Sequence, residues 1–157
     1  MNLEHHYAVA TLWTGNRGTG TSGYREYGRD HVLRADGKPD IVGSSDRVFF
    51  GDADRWNPEE LLLAALSQCH MLSYLHVAVR HGVRVLAYSD AATGTLQQDA
   101  SDGGRFTIAV LHPRVTIADP AQLELAQSLH AEAAQKCFIA ASVNFPVTHE
   151  PETHPAV

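Results

Sequence analysis

Cys69 and Cys137 are the two cysteines of this chain, and the chemistry open to a pair of thiols is oxidation to a sulfenic acid and then to a disulfide. A thiol reacts as its thiolate, so a reactive cysteine needs a cation nearby, whereas apolar burial leaves it inert. Packing as a small apolar group is the commoner fate of a free cysteine. On a helix, Cys69 shares a face with Leu62, Ala65, Leu72 and His76, an apolar pocket lining. Arginine is the cation that keeps its charge in such a place, and Arg17, Arg25 and Arg29 are the candidates. An arginine drawn into an apolar pocket needs a carboxylate to orient it. Glu59 and Glu60 are available. Helical phase puts Glu59 about 80° from the face of Cys69 and Glu60 about 180° away, which selects Glu59.

Glu59 and Cys69 are ten positions apart, about 15 Å along one helix axis. That is too far for one arginine to serve both within a chain without a long reach. A two-fold dimer removes the difficulty by laying the helix start of one subunit over the middle of its mate. The plainer reading of Glu59 is a helix-start charge that complements the macrodipole.

The elements that must position these residues follow from local signals. Asn57 can accept from the orphan amides of a first helical turn, and Pro58 at the next position has no donor to lose, so a helix is expected to start there and to stop at Gly82. It is apolar almost all round, with residues 61–66 unbroken except by alanines, and so must be enclosed by sheet or by another subunit. Before it, residues 5–14 and 24–33 read as antiparallel strands joined by a glycine-rich turn at 15–20 that puts Arg17 at its tip, and residues 48–50 read as a short strand or extended link. After it, residues 83–98 and 105–117 are rich in β-branched side chains and flank a turn-forming cluster, which predicts a long hairpin. Asp119-Pro120-Ala121-Gln122 starts a second helix, with Ala126, His130, Ala133 and Cys137 on one stripe. Residues 143–148 are a last strand in which Pro146 implies an edge or a bulge. The polar residues 150–157 are expected to be a disordered tail. Together these predict one α+β domain over residues 1–149, a largely antiparallel sheet packed on helices.

Bulk properties limit the partners. A chain of 157 residues, 44% apolar, fits one core. A net charge of −6 with 12 scattered Lys and Arg disfavours nucleic acid or an anionic membrane, both of which need a concentrated basic surface. The first residues carry neither a basic nor an apolar leader pattern, so a cytoplasmic protein is expected. In a reducing compartment two cysteines fit a transient disulfide rather than a structural framework. His70, His76 and His81 lack the i, i+4 spacing of two ligands on one helical face, so no metal and no cofactor is expected. His76 follows Cys69 by seven residues and His130 precedes Cys137 by seven, which puts a histidine two helical turns from each thiol.

Asn57-Pro58-Glu59-Glu60-Leu61, a cysteine twelve residues after the asparagine, and a second cysteine after the last long helix resemble the OsmC/Ohr family of thiol-dependent organic hydroperoxide reductases. Trp13 to Thr21 also resembles the family's N-terminal segment, in which a catalytic arginine follows the first strand, and this points to Arg17. His70 after Cys69, the run Ser142 to Val147 and the acidic, aromatic link Gly51 to Trp56 look like the OsmC-like branch rather than the Ohr branch. The resemblance implies an intertwined homodimer, antiparallel sheets around two long central helices, with active sites at the subunit interface. It implies Cys69 as the peroxidatic thiol, Cys137 as the resolving one, Arg17 as the group that stabilises the thiolate, Glu59 as its holder, and an external dithiol as reductant. The alternative is a stress protein of the same fold that binds an apolar ligand or a partner, its cysteines sensing redox state without turnover.

Overall fold

The computed structural model describes residues 3–101 and 103–156. The backbone divides into two compact units, Met1–Leu61 and Leu62–Val157, and the division falls inside a continuous helix rather than in a linker.

In the first unit, β1 (Ala10–Trp13), β2 (His31–Arg34) and β3 (Ile41–Gly43) form an antiparallel sheet in that order. The first strand is shorter than the expected 5–14. The second begins at His31 rather than at residue 24 because the intervening chain is a folded loop, closed at its neck. Thr14 N–H donates to Asp30 O at 2.8 Å, Gly28 N–H to Gly15 O at 2.7 Å, and the Trp13 indole to Gly28 O at 2.8 Å. Gly15 is required there, because a Cβ at that position would lie 2.0 Å from Gly28 O. Residues 48–50 were expected to be a short strand or extended link, but residues 47–49 form a 3₁₀ turn instead. Asp46 caps it by accepting from Val48 N–H at 2.9 Å, and Phe50 closes it in the left-handed region.

Helix α1 (Pro58–Arg80) starts where the sequence places it. Asn57 Oδ1 accepts from Glu60 N–H at 2.8 Å, and the Glu60 carboxylate accepts from Asn57 N–H at 3.4 Å, a reciprocal capping box. The helix ends in a Schellman pattern, with Gly82 at φ +69° and Val83 N–H donating to Ala78 O at 2.9 Å. An Asn57→Ala chain is expected to lose about 1 kcal/mol of stability, read as a lower urea midpoint with an unchanged slope. An unchanged midpoint would mean that the cap is dispensable.

The second unit holds two mixed sheets. The expected hairpin is present, but both arms break near Ala91 and His112, so β4 (Val85–Asp90) pairs with β7 (Pro113–Ile117) and β5 (Thr93–Gln98) with β6 (Gly104–Leu111). Asp119 caps a 3₁₀ turn at Pro120–Gln122 that leads into α2 (Leu123–Gln135). After α2 the chain adds β8 (Val147–His149) parallel to β6 and β9 (Glu152–Pro155) parallel to β7. Residues 150–157 were expected to be a disordered tail, and that expectation is corrected for 152–155. Ladder bonds to β7 hold them, and Gln127 on α2 accepts from Thr153 and donates to Pro151 O. These two parallel edges make the sheets mixed rather than antiparallel throughout. Ala109 faces Val147 and Arg114 faces Glu152, so both pairings keep one sequence offset. It continues between them, where Glu150 N–H donates to Leu111 O at 2.8 Å and its carboxylate pairs with His112 at 3.3 Å.

The C-terminal half of α1 packs against α2 and the β4–β7–β9 sheet through Tyr74, Val77, Val115, Ile117 and Ala126. Its N-terminal half meets the β5–β6–β8 sheet at Leu66, Ala109 and Leu111. Enclosure of α1 is incomplete in a single chain, where Leu72 is 60% and Val79 77% exposed.

Candidate functional site

Cys69 sits mid-way along α1 and is half-buried, while Cys137, two residues beyond α2, is buried. Both are free thiols, and they are near enough to influence one another. Burial first, and then the neighbouring Cys69 side chain, push the Cys137 thiol up to about 11. Ala140 N–H points at Cys137 Sγ from 3.5 Å, a weak contact that favours the charged sulfur. At neutral pH Cys137 therefore keeps its proton.

Beside Cys69 lies a cavity of about 750 Å³ whose lining includes Ala65, Leu72, His76, Lys136, Phe138 and Ile139. Ala65, Leu72 and His76 are three of the four side chains that helical phase groups with Cys69, so the face read from the sequence is the face that lines the cavity. The part of the lining contributed after α2 escaped that reading. Lys136 adjoins Cys137 in sequence, and this adjacency is the one signal that could have pointed to it. Ser73 Oγ, on α1, donates to Lys136 O at 3.3 Å and ties the end of α2 to the cavity wall. Phe138 is 80% exposed, an unusual state for a large aromatic ring beside a thiol.

The two histidines flanked by sequence spacing diverge. His76 lines the cavity with Cys69. His130 turns into the core, where its Nδ1 lies 3.0 Å from His70 Nε2 and its ring stacks on Tyr74 at 4.1 Å. His76 thus shares the cavity wall with Cys69, while the His130 ring is taken up by His70 and Tyr74.

The first unit settles the surroundings of the arginines. Arg29 is committed, donating to Tyr27 O at 2.6 Å and Tyr24 O at 2.7 Å with its guanidinium over both aromatic rings. Arg25 lies over the Phe50 ring. Arg17, in the closed loop after β1, is exposed and makes one long contact, 3.4 Å to Arg25 O. Of the two carboxylates, Glu60 is consumed by the capping box, whereas Glu59 has a buried Oε2 without a hydrogen-bond partner among the described residues. An unpaired buried carboxylate oxygen is costly unless a donor reaches it.

The sequence profile of the OsmC-like protein family matches residues 51–152, a span that holds α1, both thiols and strands β4 to β8. The chain belongs to the OsmC-like family. A Vibrio cholerae OsmC-like protein of unknown function is 28% identical, with a TM-score of 0.85 over 95% of this chain and 100% of that one. An organic hydroperoxide resistance protein from Elizabethkingia anophelis is 18% identical, with a TM-score of 0.69 over 98% and 100% of the two chains. The organic hydroperoxide resistance protein OhrB of Bacillus subtilis is 20% identical, with a TM-score of 0.64 over 94% and 98%. No curated protein sequence matches. The OsmC-like fold is therefore shared along almost the whole chain, and at these identities the last two likenesses speak for fold alone.

Proposed function

We propose that this OsmC-like protein is a thiol peroxidase that reduces organic hydroperoxides. The observation that carries the reading is that Cys69, in the wall of a largely apolar cavity, has Cys137 as a neighbouring thiol, which is what a peroxidatic and a resolving thiol require. In the proposed cycle the Cys69 thiolate attacks the terminal peroxide oxygen. The O–O bond breaks, the alkoxide leaves and takes a proton, and Cys69 becomes a sulfenic acid. The Cys137 sulfur then displaces its oxygen as water, forming the Cys69–Cys137 disulfide. An external dithiol exchanges with it, is itself oxidised, and restores both thiols. Such a couple suits a reducing cytoplasm.

Arg17 is the proposed cation for the thiolate and the departing alkoxide, since Arg29 is already committed and Arg17 is not. Glu59 is its proposed holder, which would give the unpaired Oε2 a donor. A homodimer with sites at its interface brings these groups to the thiols of the mate, and the exposed Leu72 and Val79 on α1 are the apolar area such an interface would cover.

The test is stoichiometric. One equivalent of cumene hydroperoxide is expected to remove both free thiols of each chain, to leave a Cys69–Cys137 disulfide in the peptide map, and to support repeated turnover once a dithiol is added. No thiol loss at that dose would reject the peroxidase and favour the ligand-binding alternative.

A further inference from the structure

Three imidazoles that the proposed cycle does not use lie together in the core of the second unit. His70 on α1 and His130 on α2 are 0% and 3% exposed and share a 3.0 Å Nε2 to Nδ1 hydrogen bond. His149, at the end of β8, packs on His70 with ring centroids 4.2 Å apart. Among the described residues, His70 Nδ1, His130 Nε2 and His149 Nε2 have no hydrogen-bond partner. Among the described residues no three His, Cys, Asp or Glu side chains are arranged to hold a metal ion, so the cluster is read by its protons.

Its place in the chain gives it leverage. His70 is the neighbour of Cys69, and His130 lies on the helix that delivers Cys137. Other side-chain links between α1 or its end and α2 are the buried Tyr74 hydroxyl to Ala126 O at 3.0 Å, and two exposed ones, Ser73 to Lys136 O and His81 to Glu132. The groups facing the imidazoles offer little to a positive charge. They are Tyr74 from α1, Asp90 from β4, and each other. Asp90 acts on His149, and its oxygens already accept from Ser67 Oγ at 2.5 Å and His112 N–H at 2.7 Å.

We infer that His70 and His130 are positioning residues whose shared hydrogen bond holds Cys137 beside Cys69, and that their protonation releases α2 and weakens the disulfide. One proton between the two nitrogens makes the bond, whereas with both nitrogens protonated two donors face each other and it must break. Burial of charge without a contacting carboxylate resists protonation in place; it lowers His70 to about 3 and His130 to about 4. Opening frees both rings to titrate as in water, near pH 6.5. Below that value the open form gains up to about tenfold per pH unit for each imidazole, about a hundredfold for the pair. A disulfide between the helices opposes the opening, so by linkage its formation expels protons and is disfavoured by acid.

The inference rests on the proposed pairing of the two thiols and not on peroxide chemistry, and its test uses no peroxide. The full-length protein is equilibrated with reduced and oxidised dithiothreitol at pH 7 and pH 5, and the fraction of Cys69–Cys137 disulfide is read by thiol alkylation. The equilibrium constant for the disulfide is expected to fall tenfold or more from pH 7 to pH 5, whereas titration of a thiol alone would leave it level or make it rise. A His70→Gln, His130→Asn chain, whose amides can keep the bond but cannot titrate, is expected to match the wild type at pH 7 and stay level to pH 5. A wild-type constant that changes less than twofold, a variant that keeps the wild-type slope, or a disulfide that never forms would overturn the inference. Should the variant not fold, imidazole proton resonances of the wild type decide: His70 and His130 are expected to titrate at lower pH in the disulfide form than in the dithiol form, and identical titrations would overturn it.

Discussion

A Cys69→Ser chain is expected to consume cumene hydroperoxide at less than roughly one-thousandth of the wild-type rate under a dithiol, with its far-UV spectrum and urea midpoint little changed. Serine is nearly the same size as cysteine, and Cys69 is half-buried at the cavity wall, so the substitution removes the nucleophile without opening a hole. A Cys137→Ser chain separates the two halves of the cycle. It is expected to reduce one equivalent of peroxide and stop, holding a Cys69 sulfenic acid that dimedone traps and mass spectrometry reads. Dithiol-dependent turnover persisting in the Cys69→Ser chain would end the proposed mechanism, whichever residue then proved responsible.

The second large effect is on stability in acid. His70 and His130 are lowered to about 3 and about 4, first by burial and then by the neighbouring imidazoles, and His149 is lowered by burial as well. The unfolded chain binds protons at these positions from about pH 6.5 downward while the folded chain does not. Their neutral burial is therefore without penalty above about pH 6.5, and stability falls with pH between that value and the folded ones. Each such imidazole contributes up to about 1.4 kcal/mol per pH unit within that window. The urea midpoint at pH 5.0 is expected to lie at least about 1 M below that at pH 7.5. Asp99 and Glu132 do not confuse the window. Hydrogen bonds, from Ser101 to the first and from His81 to the second, lower them from an ordinary carboxylate value, so their protonation matters only in stronger acid. A midpoint that moves by less than about 0.3 M would show that the cluster accepts protons without opening.

Much of this was legible because it is local. Asn57, Pro58 and Gly82 fix the ends of α1 through backbone groups within a few residues of each, and the helical period groups Ala65, Leu72 and His76 with Cys69. The hairpin was legible from its turn residues, although not the break that shares its arms between two sheets, which depends on what each half of α1 packs against. Selection of Glu59 over Glu60 rested on phase; the structure adds that Glu60 is occupied as a cap. What stayed hidden is tertiary. Strand β8 falls at the end of the expected 143–148, whereas β9 is short, polar and proline-flanked, and only the ladder offered by β7 makes it a strand. His130 has a spacing that fits Cys137, yet a ring can turn to the other side of its helix, and His70 and Tyr74 present a better surface there.

The constant offset between the β6–β7 run and the β8–β9 run makes the two sheets one object as far as registration is concerned. The second run lies along the first like a single ribbon, interrupted at the same place, where Glu150 meets Leu111 and His112. A slip of one residue turns every side chain of a strand to its opposite face. Here it would invert β8 in one sheet and β9 in the other together, and part both ion pairs, His112 with Glu150 and Arg114 with Glu152. Misregistration cannot be confined to one sheet, so the segment that carries α2 and Cys137 between the two runs is measured in length from both ends at once.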